Sequence, residues 1–465
     1  MLLIRADGGA PAATLPASRL PSLTGLRWVA AMLVFGYHAG TMRIVGDPDA
    51  KAVVDGVFTL GLSGVQFFFI LSGFVLVWSA RDGERRRDFW RRRLAKIYPN
   101  HVLTWAAALL VMWWFADPVV PRAALENLFL VQAWDPTPGY FYSINTVSWS
   151  LSCELFFYLC LPLVLPALRR APAGLLWAVV VAVPLVIVAL WPGQLLVPKE
   201  STWWFTQIFP LVRSTEFWLG VAAAELLRRG RWRGPALPLA SVIFVATWVI
   251  AAQWIRAELW AAILSAAYVL VIAAAADADV RGRRSPWRHP RMVWLGEVSF
   301  AFYLVHVLVM VTVLRAAGHL GVGLPGWWGP LTVLGFLAVN LVLAGLMHRW
   351  VETPMMRRLA PRRHPAPAGA SAAGVLTDPS AAVVPAGASA AVEPVGPSAD
   401  VARRDVSTAA GSPAAVAGPG GAVIPAAREE TSARPRAVVA PSLRPAAGEP
   451  PADRPVEYAD RRGPA

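Results

Sequence analysis

The sequence predicts an all-α protein, a polytopic bundle of about ten transmembrane helices with a disordered C-terminal tail. Three observations carry that expectation. Apolar runs long enough to cross about 30 Å of hydrocarbon recur down to residue 350 or so. Hydrophobic residues make up 56% of the 465, more than a soluble domain of this size needs. Basic residues alternate between loops in the pattern that sets membrane orientation.

The runs fall at about 26–44, 60–79, 101–116, 147–167, 173–191, 205–227, 236–254, 259–276, 293–314 and 330–348. Residues 1–22 precede them as a cytoplasmic segment. The opening MLLIRADGGAPAA lacks the apolar core of a signal peptide, so the first span is expected to remain uncleaved. The seventh and eighth runs are joined by the short turn Gln253–Glu258. Loops after even-numbered runs hold RDGERRRDFWRRRLAK, Arg169–Arg170, RRGRWR and RGRRSPWRHPR, and RRLAPRR follows the last run. Loops after odd-numbered runs offer little beyond Arg43, Lys51, Arg122, Lys199, Arg256 and Arg315. By the positive-inside rule both termini are cytoplasmic, and the protein is a multi-pass protein of the cell membrane.

The tryptophan pairs Trp113–Trp114, Trp203–Trp204 and Trp327–Trp328 fall where an interfacial belt on the outer side belongs. The transmembrane domain spans residues 23–360. Residues 361–465 are rich in Ala, Pro, Gly, Ser and Val; they cannot bury enough apolar area to fold and read as a disordered cytoplasmic tail. The formal charge of +14 could suggest nucleic acid, but its location in short inter-span loops assigns it to topology and membrane lipids. Cys153 and Cys160 lie seven residues apart on one helix, roughly 10 Å in backbone, too far for a disulfide. No metal-ligand cluster stands out.

Ionisable groups inside a membrane helix usually face the bundle interior and mark function. In the first span Arg27 and His38 are eleven positions apart. At about 100° per residue they share one azimuth, roughly 16 Å apart along the axis, and are expected to face one cavity. In FWRRRLAKIYP, Arg93 and Lys96 stand at i, i+3 and can point together at a phosphate, with Arg92 beside them. In the fourth span Ser150, Glu154 and Tyr158 repeat at i, i+4, i+8 on one face. In the sixth, Arg213 either pairs with Glu216 at i, i+3 or lines the shared cavity. In the ninth, Ser299, Tyr303 and His306 share a face, and His306 either lines that cavity or orients another group. The second span, with Gly61, Ser63, Gly64, Gln66, Ser72 and Gly73, reads chiefly as a packing helix.

GLRWVAAMLVFGYH, GVQFFFILSGFVL, FWRRRLAKIYP, TVSWSLSCELFFYLCLP, RSTEFWLG, LGEVSFAFYLVH and the closing VETP resemble the successive signatures of the bacterial integral-membrane acyltransferase type 3 family. They come in the family's order over about residues 20–360. The resemblance implies a catalytic Arg-x10-His pair at Arg27 and His38. It also places the family's Arg-x-x-Arg motif on Arg93 and Lys96, where lysine keeps the charge but loses the forked donor. Some members carry an extracytoplasmic esterase-like domain, which the tail has no composition to build.

The expected activity is transfer of an acyl group, most simply acetyl, from acyl-CoA to a hydroxyl of a carbohydrate-containing acceptor. Acyl-CoA is then a co-substrate and no cofactor is held permanently. His38 serves as base or as covalent acyl carrier, and the residues alone leave both open. Arg27 or Arg213 faces the developing oxyanion. Arg92, Arg93 and Lys96 receive the CoA phosphates, and Glu154 balances charge. The rival readings are a transporter or flippase of glycolipid or polysaccharide precursors, and a non-catalytic membrane sensor or scaffold. A transporter would not need a phosphate-sized basic cluster beside a span, and many such folds carry internal repeats. A sensor would leave the Arg/His/Glu set unexplained.

Overall fold

The computed structural model of the chain describes residues 20–359 other than 43, 46, 81–82, 194–196 and 321–328. The tail 361–465, residues 1–19, Arg43, Arg81 and the pair Trp327–Trp328 therefore lie outside the described residues. Among the described residues every regular element is helical.

Ten long helices follow one another among the described residues: α1 (Pro21–Thr41), α2 (Gly64–Ser79), α3 (Arg86–Trp114), α4 (Trp149–Arg170), α5 (Ala173–Gly193), α6 (Pro210–Arg228), α7 (Leu237–Trp254), α8 (Ala257–Val280), α9 (Pro290–His319) and α10 (Gly329–Met347). Each overlaps one expected run, with two corrections of outline. The basic stretch before residue 101 is itself helical, because α3 begins at Arg86. The sixth run is broken: a short helix Thr202–Gln207 ends before Pro210, whose fixed φ opens α6.

Seven helical stretches among the described residues are long and apolar enough to cross a membrane. Helices α1, α3 and α6 fall outside that set. They are the helices that carry Arg27 and His38, the basic run, and Arg213 with Glu216, and those side chains lower their mean hydropathy.

At the basic end of the bundle, side chains satisfy the helix termini that backbone hydrogen bonds leave open. The Asp279 carboxylate on α8 accepts from the Ser22 amide at 2.8 Å and the Ser22 hydroxyl at 2.7 Å, capping α1 from outside. Arg229 donates to the end of α4, to Leu168 O at 2.8 Å and Arg169 O at 3.1 Å, and to Ala171 O just past it at 2.6 Å. At the opposite end, residues 115–148 fold into a polar cap. Asn127 is its hub, donating to Ser143 O at 2.7 Å and Ser148 Oγ at 3.0 Å while its carbonyl meets His101 Nε2 at 3.0 Å. Ala116, Leu130 and Ile144 hold left-handed φ there, at 54°, 57° and 54°. Such conformations persist only where surrounding contacts impose them.

The Trp203–Trp204 pair is part of this end's fold and not a free lipid belt. Trp203 donates to the Tyr142 hydroxyl at 2.7 Å and Trp204 to Ala133 O at 2.8 Å. Trp113 and Trp114 are 72% and 74% exposed, as an interfacial pair should be.

Two glycines set how closely the central helices approach. A side chain at Gly220 on α6 would overlap the Ile70 carbonyl of α2, and one at Gly296 on α9 would overlap the Thr24 carbonyl of α1. Rings of Trp28 and Phe35 then pack on Phe302, at 5.0 and 5.5 Å between centroids, fixing α1 against α9. Gly296→Val should thus push α1 off its seat and destabilise the bundle by roughly 1–3 kcal/mol or more. Gly335→Val, where a Cβ meets nothing within 4 Å, should stay within about 0.5 kcal/mol of wild type. Thermal unfolding in detergent checks the pair; equal midpoints for the two variants would contradict the close-approach account.

Candidate active site

Helices α1, α2, α3, α4 and α9 surround a cavity of about 860 Å³, its open mouth included. It runs from Arg93 and Lys96, near the basic end of α3, to Ser150 and Tyr303. Its walls are largely apolar, with Val65, Phe68, Leu151 and Phe300 among them. Helix α4 turns Ser150, Glu154 and Tyr158 to it together, the face that their spacing predicts. Ser299 and Tyr303 also line it, and Ser72 of α2 joins them. The second span thus contributes to the site as well as to packing.

The cations around it differ in how they are satisfied. Lys96 pairs with Glu352, a carboxylate 2% exposed that also accepts from Asn100 Nδ2 at 2.8 Å. Glu352 ends the π-helical turn His348–Glu352, and π turns recur at functional sites. Arg93 donates to Ser79 Oγ at 3.0 Å and lies over the Phe89 ring at 5.4 Å. Glu154 accepts from the Tyr158 hydroxyl and interacts electrostatically with Arg27, Arg93 and Lys96. Arg27 lines the cavity but makes no hydrogen bond or ion pair with any described residue.

Four expected members of the cavity are elsewhere. Arg92 is held by both oxygens of Glu84, one at 2.7 Å, and does not line it. Arg213 and Glu216 are buried together at 3.0 Å with the Phe69 ring 5.3 Å from the guanidinium, so the pairing alternative holds for them. His306 also stays out of the cavity lining, and so does His38.

The two histidines meet each other instead. His306 Nε2 lies 3.2 Å from His38 Nδ1, outside the cavity lining to which the neighbouring Tyr303 belongs. Arg27 and His38 both lie on α1, but of the two only the arginine lines the cavity. Tyr303 is the link between the two parts: its hydroxyl meets Ser150 Oγ at 2.9 Å and its carbonyl meets His306 Nδ1 at 2.7 Å.

Residues 20–349 match the family model described as an acyltransferase domain, acyltransferase type 3. The chain belongs to this family. It is an acyltransferase, and the fold places it among multi-pass membrane proteins. It is 39% identical over 363 residues to acyltransferase MdmB of Streptomyces mycarofaciens, covering 74% of this chain and 94% of that protein. With the exopolysaccharide production protein ExoZ of Rhizobium meliloti it shares 26% identity over 323 residues, 66% of this chain and 93% of ExoZ. Peptidoglycan O-acetyltransferase OatA of Listeria monocytogenes is 26% identical over 160 residues, 31% of this chain and 24% of OatA. No solved structure matches the chain.

Glu352 and Asn100 are the site residues that sequence reasoning missed. A carboxylate inside the closing VETP, just past an apolar run, was the available signal. Glu352→Ala should leave the Lys96 ammonium without its partner and cost roughly 3–5 kcal/mol, whereas adding Lys96→Met should recover most of that loss. A double-mutant cycle on unfolding midpoints checks it; strictly additive losses would show that the two groups do not act as a pair.

Proposed function

We propose that the protein transfers an acyl group, most simply acetyl, from acyl-CoA to a hydroxyl of a carbohydrate-containing acceptor. The observation that carries this reading is Arg27, a guanidinium inside the bundle without a partner among the described residues, in an apolar-walled cavity shared with Arg93 and Lys96. An unpaired charge there is costly unless a ligand brings the complement. A CoA thioester has the matching parts: phosphates for Arg93 and Lys96, and a carbonyl that becomes anionic during transfer for Arg27. Both termini cytoplasmic would turn the Arg93–Lys96 mouth toward the cytoplasm. The names of ExoZ and OatA, an exopolysaccharide production protein and a peptidoglycan O-acetyltransferase, support a carbohydrate acceptor.

In the reaction His38 takes the proton of the acceptor hydroxyl on Nε2 as general base. The freed oxygen bonds to the thioester carbonyl carbon, and the tetrahedral oxyanion faces Arg27. Collapse breaks the C–S bond; the CoA thiolate leaves and receives the proton held by His38. Glu154 offsets part of the Arg27 charge when the donor is absent. Ser150 and Tyr303 mark the acyl end of the cavity. Arg92, held by Glu84, braces the basic helix without touching the donor.

The test follows radiolabel from acetyl-CoA into alkali-releasable ester in membranes supplemented with the carbohydrate fraction of the native host. His38→Gln keeps an amide of similar reach but cannot take a proton, so ester formation should fall by roughly 10²- to 10⁴-fold at equal protein level. The double variant Arg93→Gln/Lys96→Gln should mainly raise the apparent KM for acetyl-CoA, since those contacts are made in ground and transition states alike. Substantial transfer by His38→Gln would remove it from the chemistry. Unchanged donor KM in the double variant would assign those cations to topology alone.

A further inference from the structure

His38 and His306 lie 268 positions apart in sequence yet form a ring-to-ring hydrogen bond. Their hydrogens can be placed from the partners alone. A carbonyl oxygen only accepts, so any ring nitrogen bonded to one carries the hydrogen. His306 Nδ1 meets Tyr303 O at 2.7 Å and is therefore the protonated nitrogen of that ring. Its Nε2 is then a lone pair, aimed at His38 Nδ1 from 3.2 Å. His38 Nδ1 also faces Val34 O, at 2.9 Å. Two acceptors thus converge on one nitrogen. With the hydrogen on Nε2 of His38 instead, its Nδ1 lone pair would face an imidazole lone pair and a carbonyl oxygen, both repulsive.

One tautomer satisfies every contact: Nδ1–H on both rings, with His38 Nε2 bare. That Nε2 has no hydrogen-bond partner among the described residues, and the His38 ring is half-buried where His306 is only 1% exposed. The His306 ring cannot easily turn away. It stacks on Phe302, 6.1 Å between centroids and 1° from parallel, with Phe35 at 6.4 Å and Tyr303 at 5.7 Å around it. Neither histidine forms an ion pair with a carboxylate among the described residues; Tyr37, 5.4 Å from the His38 ring centroid, and Tyr303 are the neighbouring titratable rings.

We propose that His306 is a positioning residue that fixes His38 in its Nδ1–H tautomer, presenting the Nε2 lone pair to the acceptor hydroxyl. The inference rests on the reading of His38 as general base. Once His38 has taken the hydroxyl proton, its Nδ1–H becomes a charge-assisted donor, and the bond to His306 Nε2 strengthens when the transition state needs it. A neutral imidazole thereby does the orienting that a carboxylate does in hydrolase triads.

Two measurements test it on the full-length protein in lipid nanodiscs. The first is nitrogen NMR of isotopically labelled histidine, with the His38 signals identified by their loss in His38→Gln. Wild type should show His38 protonated at Nδ1 and bare at Nε2, and a wild-type His38 protonated at Nε2 overturns the proposal with no further variant needed. His306→Leu should admit the other tautomer; unchanged His38 signals in that variant also overturn it. The second is ester formation from acetyl-CoA, as above. His306→Leu should lower the maximal rate roughly 10- to 1,000-fold with donor KM unchanged, below the ceiling set by loss of the base itself. His306→Gln, whose carboxamide oxygen can accept from His38 Nδ1, should recover most of that rate. Packing alone predicts the reverse order, leucine filling the apolar cage better than glutamine. If His38→Gln is inactive while His306→Leu is not, the positioning role fails and the base survives; if His38→Gln is active, the base reading itself fails.

Discussion

Placing charge inside a helix bundle constrains everything else in this protein. Hydrocarbon and packed apolar side chains solvate a guanidinium or ammonium poorly, so each such group needs a partner at hydrogen-bonding distance. Arg213 has Glu216, Arg92 has Glu84 and Lys96 has Glu352. The Lys96–Glu352 pair ties α3 to the segment after α10, while the other two close within α6 and at the start of α3; half of any of them alone would be worse than neither. Arg27 departs from the pattern, and it departs inside the cavity. Glu154, which interacts with it electrostatically, is already engaged by the Tyr158 hydroxyl. The unbalanced positive potential of the cavity is the property a polyanionic thioester donor would exploit.

Helix α1 carries both Arg27 and His38, the two residues to which the proposed chemistry assigns the oxyanion and the base, so its seat matters more than that of any lipid-facing helix. Asp279 fixes its start, Gly296 allows α9 to approach, and the Phe302 ring locks the middle. Along this element Arg27 and His38 stand eleven positions apart. The cavity lining includes Arg27 and Tyr303 but neither histidine of the pair. On the proposed reading, separating the cationic pocket from His38 in this way would let donor and acceptor approach the acyl carbon from different sides. Tyr303 belongs to both parts, through its hydroxyl on Ser150 and its carbonyl on His306.

Much of this was legible in the sequence, for identifiable reasons. Apolar length reports helix existence directly, because the bilayer acts on each span separately. The face formed by Ser150, Glu154 and Tyr158 follows from helical period alone. What the sequence could not reveal depends on rotation and contact between distant helices. Lys96 and Glu352 are 256 positions apart, and His38 and His306 are further still. Whether Arg213 faces Glu216 or the cavity is decided by how α6 seats against α2, where Gly220 sets the distance. Arg27 and His38 do lie on one unbroken helix, yet only Arg27 lines the cavity, so a shared helix face does not make a shared cavity.

The most direct measurement of the central claim is an experimental structure of the full-length protein with a non-hydrolysable thioether analogue of acetyl-CoA. The account predicts the analogue in the cavity enclosed by α1, α2, α3, α4 and α9. Its phosphates should lie at Arg93 and Lys96, its acyl carbonyl within hydrogen-bond reach of Arg27, and its acyl end should point toward Tyr303 and the His38 side. An analogue bound at saturating concentration anywhere else, or a cavity filled by lipid while Arg27 turns to a protein carboxylate, would contradict it.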